Sequence, residues 1–514
     1  MTQDEALAIL ESGQSVLLTG AAGTGKTYVL NQFIRRARAE GKSVAVTATT
    51  GLAATHLGGA TIHAWSGIGV RDALDGMFYN KLSKSRADLI ARADVLIIDE
   101  ISMLHDFRLD MVEEVTRRIR GGDRPFGGLQ VILSGDFFQL PPVNRRDSRQ
   151  GGFVTSSDVW TANTFQVCYL EEQYRQTGDD LYSSILNGIR AGQLTRRLLD
   201  ALQARAGVTA DPFTGRMRLL TINVDVDAIN HQHLEALDED EHEYEMETTG
   251  RKQYVETLLK SCLAPKTLRL KRGAMVMCIK NSQDKKYVNG SLGVVEDFEP
   301  GSDYPVVKLL SGKEITIKPE TWELVDGDKR RATAIQLPLR LAWAITVHKS
   351  QGMTLDAAQI DLSKAFVEGM GYVALSRVRG LKHLVLDGMN GMALRTSPLA
   401  RQLDGELRAR SIDALAGHGD TIKLWLEREA ARKTAPRQEP KVSKTSNWSE
   451  RLAVMREVYP NAYKAWGEQE DVKLVKLFAA GNGVKTLSKL MGRHPGSIRA
   501  RLKKHFGDDV VLKK

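Results

Sequence analysis

Gly20-Ala-Ala-Gly23-Thr24-Gly25-Lys26-Thr27 has the spacing of a phosphate cradle, three glycines followed by a lysine and a hydroxyl. Glycines let successive backbone N–H groups turn toward one phosphate, and a helix opening at the lysine adds the partial positive charge of its N-terminus. On this reading Gly23, Thr24 and Gly25 hold the β-phosphate, Lys26 reaches the β- and γ-phosphates, and the Thr27 hydroxyl ligates Mg²⁺. A second element, Val95-Leu-Ile-Ile98-Asp99-Glu100, ends an apolar run in two adjacent carboxylates. Asp99 is the metal-holding candidate, and Glu100 the base that polarises an attacking water. Such a pair standing alone could merely cap the next helix. Behind a phosphate cradle it points to hydrolysis of ATP or a close relative, with Mg²⁺.

These residues need a scaffold that delivers them to one edge. Apolar, β-branched runs at Ser15–Thr19, Ser43–Thr47, Val95–Ile98 and Val131–Ser134 alternate with helical patterns, the signature of a parallel sheet covered on both faces. Leu219–Asn223, Ala357–Asp361 and His383–Leu386 suggest a second such sheet. Between them, Met275–Ile279, Leu292–Phe298, Val306–Leu310 and Ile315–Lys318 read as short alternating strands of an inserted barrel, with Asn289-Gly290 as a turn. The acidic run at 236–250 reads as a solvated loop or helix face.

Composition bounds the answer without giving it. A chain of 514 residues with 42% hydrophobic and 26% charged residues is an ordinary globular protein of several domains. Its three cysteines lack disulfide or metal spacing, which suits a reducing cytoplasm. The N-terminus has no signal-peptide order, and no apolar run approaches a membrane span. The net charge of +9 leans toward a polyanion.

Further motifs narrow the class. Val46-Thr-Ala-Thr49-Thr50-Gly51, Gly58-Gly59-Ala-Thr61-Ile62-His63-Ala-Trp65, Gly135-Asp-Phe-Phe-Gln139-Leu-Pro-Pro142, Tyr174-Arg175-Gln176, Thr346-Val-His348-Lys349-Ser350-Gln351-Gly352 and Tyr372-Val-Ala-Leu-Ser-Arg377 follow one another in order. Together with Asp106–Arg120 they resemble the petite-integration-frequency (PIF) helicases, of the 5′-to-3′ branch of helicase superfamily one, in a bacterial or phage-like form. The likeness covers residues 1 to about 400. It implies two RecA-like α/β domains, 1–166 and 167–428, with a wedge insertion at about 66–93 and an SH3-like β-barrel insertion at about 266–330.

The resemblance also implies roles. Gln3 reads the adenine edge, Gly352 joins the nucleotide-binding set, and Gln139 senses the γ-phosphate. Arg175 and Arg377 act as arginine fingers given by the second domain, where a planar guanidinium stabilises charge on the transferred phosphoryl group. Thr49, Thr50, His63, His348 and Lys349 are the candidate contacts to the strand. Trp65, Phe137 and Phe138 could either stack on bases or pack in the core. Phe78 and Tyr79 fall in the wedge stretch.

Residues 429–447 read as a linker, and 448–514 as an all-α, helix-turn-helix tail with helices near Glu468–Ala480, Lys485–Met491 and His494–His505. Fourteen Lys and Arg there face seven Asp and Glu. Arg493, Arg499, Arg501, Lys503 and Lys504 are expected to face outward onto DNA, although docking on protein is also open. The implied partners are single-stranded DNA and duplex junctions, with single-strand-binding or recombination proteins as further candidates. A cytoplasmic, nucleoid-associated monomer with no membrane contact is expected.

Overall fold

The computed structural model describes residues 1–434, except 70, 145–147, 163–164, 177, 209–216, 263, 281, 283–285, 288–289, 311, 327–328 and 356. It also describes residues 455–506, except 457, 463 and 465. The chain forms two compact units, residues 1–427 and 428–514.

In the first unit, β1 (Val16–Gly20), β2 (Val44–Ala48), β3 (Ala60–Thr61), β4 (Val95–Asp99), β5 (Gln130–Gly135) and β6 (Gln166–Leu170) form one parallel sheet. Their order is β3-β2-β4-β5-β1-β6. Every residue of β1 and β4 is buried, as strands covered by helices on both faces require. The order decides where chemistry can occur. Because β5 lies between β1 and β4, the loop after it reaches the edge between the phosphate loop after β1 and the carboxylates ending β4. Ligands of open parallel sheets bind at such carboxyl edges. The four expected strands agree with the observed ones to within a residue. β6 was not foreseen; its pairing with β1 carries the first domain through residue 170 rather than 166.

β7 (Met217–Leu220) opens the second parallel sheet, and the chain then leaves it for a long insertion. The insertion comprises β8 (His242–Glu245), β9 (Glu247–Gly250), β10 (Thr267–Leu270), β11 (Met275–Cys278), β12 (Leu292–Phe298), β13 (Pro305–Leu309), β14 (Glu314–Thr316), β15 (Glu320–Asp326), β16 (Lys329–Gln336) and β17 (Leu339–Leu341). These make an antiparallel sheet β14-β13-β12-β11-β17, a pair β10-β8 and a three-stranded sheet β15-β16-β9. Val276, Val295, Val307 and Ile317 fill the core of the insertion. It is therefore wider than 266–330: it begins inside the acidic run, where β8 and β9 replace the expected loop. Asn289 of the expected turn lies outside the described residues.

The chain returns with β18 (Ala344–Thr346), β19 (Ala358–Leu362) and β20 (Leu384–Met389), giving the parallel order β18-β7-β19-β20. Asn223, expected in a strand, instead starts the helix Asn223–Glu235. The helix Pro398–Gly417 then packs back on the first domain, where Ser411 Oγ accepts the Tyr169 N–H at 3.1 Å. Further on, Trp425 Nε1 donates to Glu11 Oε2 at 2.6 Å, with Arg36 over its ring. The helix Gly419–Thr434 runs into the expected linker, so residues 429–434 are helical. Residues 435–447 lie outside the described residues.

Candidate functional site

The phosphate loop leaves β1 and enters the helix Lys26–Ala39 through Gly25, whose φ of 85° is left-handed. A side chain there would also strike Gln3, since a Cβ would lie 2.0 Å from Gln3 Nε2. Gln3 Nε2 donates to Thr24 O at 3.1 Å, which fixes Gln3 beside the loop. The helix Gln3–Glu11 holds it there through a capping box of Thr2 and Glu5. Lys26 Nζ donates to Gly20 O at 2.8 Å and Ala21 O at 3.0 Å. Burial lowers its pKa, while Asp136, Glu100 and Asp99 favour the charged form. An anion in the loop would do the same.

A cavity of about 520 Å³ opens over this loop. It is lined by Gly23, Gly25, Lys26, Thr27, Glu100 and Gln139 from the first domain, and by Gly352 and Arg377 from the second, with Arg175 between them. Glu100 has a φ of 55°, rare for a residue with a side chain, and its Oε2 accepts from Gln351 Nε2 at 3.0 Å. Gln139 Oε1 is buried without a hydrogen-bond partner among the described residues.

The two arginines differ in origin. Arg377 follows the helix Met370–Leu375 of the second domain. Arg175 follows β6, on the connector between the two parallel sheets. Arg175 Nη1 donates to Ser376 O at 2.9 Å. Arg377 donates to Val373 O at 2.9 Å, Met353 O at 3.3 Å and Ser376 Oγ at 2.9 Å. Burial lowers both pKa values, that of Arg175 to about 9 with Arg377 as the next cause. Two guanidiniums held against their mutual repulsion beside a lysine make a site for a multiply charged anion.

Among the described residues no cluster of three His, Cys, Asp or Glu is placed to hold a metal. The donors at hand are Thr27 and Asp99, which suits Mg²⁺ drawing its other ligands from phosphate and water. The buried Asp99 carboxyl is pushed up to about 6 by burial and then by the charge of Glu100. A divalent cation would offset both effects, so the residues fit the metal. Glu100→Gln should still bind nucleotide but turn it over about 10²-fold more slowly; undiminished turnover in a phosphate-release assay would remove Glu100 from the chemistry.

The expected strand contacts are less uniform. Thr49 is tied to the carboxylate strand, its N–H donating to Asp99 O and its hydroxyl to Glu100 O. Thr50 Oγ1 accepts the Ala53 N–H at the start of the helix Gly51–His56. His63 is lowered to about 4 by burial, then by Arg108 and His105. Burial also lowers His348. Burial thus disfavours the charged form of both imidazoles, and also that of the half-buried Lys349, with Arg340 as the next cause there. Trp65, Phe137 and Phe138 are buried, which decides for packing over stacking. Phe78 is buried too, and the Tyr79 hydroxyl donates to Glu114 at 3.2 Å, so neither ring of the wedge stretch stands free.

The family model described as PIF1-like helicase matches residues 4–197, and that of the 2B domain of DNA helicase Pif1 matches residues 253–298. ATP-dependent DNA helicase Pif1 of Psychrobacter sp. (strain PRwf-1) is 41% identical over 487 residues, covering 83% of this chain and 74% of that protein. The chain belongs to the PIF1-like helicase family. ATP-dependent DNA helicase PIF1 of Xenopus laevis is 38% identical, and the matched region covers 78% of this chain and 64% of that protein. Among solved structures, Bacteroides sp. Pif1 in complex with ADP-AlF4 has a TM-score of 0.70 at 31% identity, covering 80% of this chain and 97% of that one. Pif1 helicase from Candida albicans has 0.68 at 34%, covering 79% and 98%.

Sequence reasoning missed a buried network in this helicase. Arg190 Nη1 donates to both Asp136 oxygens at 2.8 Å and to the Tyr372 hydroxyl at 3.0 Å. Tyr372 donates to Asp136 Oδ2 at 3.1 Å and accepts the Ala22 N–H at 3.0 Å. One phenol oxygen thus joins the phosphate loop, the loop of Gln139 and the helix before Arg377. Burial works to raise the Asp136 carboxyl, but Arg190 and Lys26 overcome it and hold it below the usual range. The only available signal was that Asp136 and Tyr372 fall inside quoted motifs; nothing in the sequence marked Arg190.

In the second unit, the helices Glu468–Ala479, Val484–Met491 and Pro495–Phe506 enclose Leu474, Leu487, Ile498 and Leu502. Arg493 does not face outward. It is 2% exposed, bonds Glu470 at 2.7 Å and Lys464 O at 2.8 Å, and lies over Trp466. Arg501 is paired with Asp471. Arg493, in the turn between the second and third helices, and Arg501, on the third, both hold to the first helix, whereas Arg499 is exposed. The side chains of Lys503 and Lys504 lie outside those described.

Proposed function

We propose that this chain is an ATP-driven motor that moves 5′ to 3′ along single-stranded DNA and opens duplex at junctions, in replication, repair or recombination. The observation that carries it is the single cavity in which Lys26 and Glu100 of one parallel-sheet domain meet Arg377 of another. Mg²⁺, held through Thr27 and Asp99, would neutralise phosphate charge when bound. Lys26 and the two arginines bind the anion, Glu100 orients water, and Gln351 steadies Glu100 from the facing domain. Because the site is complete only when both domains contribute, each turnover changes how tightly they are held together, which can ratchet a strand gripped by both. That Bacteroides Pif1 has been solved bound to single-stranded DNA supports the choice of track. In the tail, exposed Arg499 remains the candidate DNA contact.

Strand displacement on duplexes with either a 5′ or a 3′ single-stranded tail tests motor, track and direction together. Opening of the 5′-tailed duplex alone is expected. Opening of only the 3′-tailed one would reverse the polarity, and strand-stimulated ATP turnover without opening would reduce the protein to a translocase.

A further inference from the structure

The three helices of the second unit divide their charge unequally. From Val484 to Phe506, across the second and third helices, the sequence carries seven Lys or Arg and no Asp or Glu. The first helix holds acids, and two of them are spent inward, Glu470 on Arg493 and Asp471 on Arg501. His505 also turns to Asp471, at 3.2 Å, and the Trp466 indole N–H donates to Ser497 Oγ at 3.3 Å. Those contacts, with Ile498 and Leu502 in the core, fix which side of the third helix faces in. The turn before it is fixed as firmly. Gly492 is left-handed at a φ of 61°, Ser488 Oγ donates to Arg493 O at 2.7 Å, and Asn461 Nδ2 donates to Met491 O at 2.9 Å. The outer face of the third helix then shows Gly496, Arg499 and Ala500, spaced i, i+3 and i+4 and all exposed. On the second helix, Thr486 and Lys489 are exposed.

We propose that the tail is a second DNA site, one for the double helix: the third helix enters the major groove of B-form DNA with Arg499 toward the base edges, and Thr486 and Lys489 of the second helix meet the flanking phosphates. The inference rests on the reading of the chain as a protein that works on DNA. The three residues Gly492-Arg493-His494 join the two helices, and a short, glycine-containing turn of this kind lets one helix lie in the groove while its predecessor crosses the backbone. The groove admits a helix, and a guanidinium pairs with guanine O6 and N7 there. Gly496 and Ala500 have almost no side chain to hold the helix off, so the arginine between them can reach the groove floor. The acid-free surface suits a polyanion better than a protein partner. The chain would then carry one site for each form of DNA at a junction.

The test is fluorescence anisotropy of the full chain with three labelled probes: a blunt mixed-sequence DNA duplex, an RNA duplex of the same sequence, and an oligothymidylate. RNA duplex has the same charge on its backbone, but its major groove is too deep and narrow for side chains to read. Wild type should therefore bind the DNA duplex more tightly than the RNA duplex. Arg499→Ala should weaken the DNA duplex about tenfold and erase that preference, with oligothymidylate affinity held within about twofold. Lys489→Ala should make the slope of log affinity against log salt shallower by about 0.9 on the DNA duplex alone. If wild type binds the two duplexes equally, or Arg499→Ala keeps the wild-type affinity for DNA duplex, no helix of the tail sits in the groove and the proposal is overturned, leaving the tail to dock on protein. If wild type binds oligothymidylate but neither duplex, the tail site falls and the motor reading stands. If wild type binds none of the three probes, the motor reading itself fails.

Discussion

Arg377→Ala is expected to lower strand-stimulated ATP turnover by about 10³–10⁵-fold, the range for removing an arginine finger. The geometry sharpens this expectation. Arg377 is 1% exposed and spends its donors on Val373 O, Met353 O and Ser376 Oγ. Alanine would take that donor from Met353 O and leave Val373 O only its bond from the Ser376 hydroxyl, as well as remove a charge from the cleft, so part of the loss would come from a loosened helix. Arg377→Lys separates the two effects. It keeps the charge but not the planar fork, and should recover nucleotide affinity far more than turnover. The decisive measurement is kcat with KM for ATP in all three proteins, beside their thermal midpoints. Turnover of Arg377→Ala within tenfold of wild type, with the fold intact, would remove Arg377 from the chemistry.

Lys26→Ala should cost about 10³-fold in turnover, since a preorganised charge aimed at the transferred phosphate is lost. It should leave affinity for single-stranded DNA within about twofold, because no candidate strand contact touches Lys26. Its own bonds in this structure go to Gly20 O and Ala21 O, within the loop. Phosphate release and anisotropy on one preparation check both halves. Wild-type turnover would displace the nucleotide from this loop altogether.

What could be read from the amino acids was what is local. The phosphate loop and the carboxylate pair declare themselves because residue types at fixed spacing determine their backbone and chemistry. β1, β2, β4 and β5 were legible because strands buried on both faces must be continuous apolar runs. β18 has three residues, too few for a period to show. β8 was hidden by its charges: His242–Glu245 alternates half-buried with exposed, and its acids are satisfied across the ladder, as Glu243 is by Arg269 at 2.9 Å. Arg493 looked like a surface cation because nothing nearby in sequence announces Glu470 and Trp466, which claim it. Arg190 was invisible for the same reason, its acceptor Asp136 lying 54 residues away.

That arginine has a mechanical consequence. Stripping one partner from a buried ion pair costs about 3–5 kcal/mol, a penalty no cycle should incur at each turn. On that cost, the Asp136–Arg190–Tyr372 knot is expected to stay tied through turnover. The helix Pro398–Gly417, stitched to Tyr169 from the far side of the sequence, stays with it. The motion expected of such a joint is a see-saw: little displacement at the knot, and travel that grows with distance from it. A step along the track is then the product of a small tilt and a long arm.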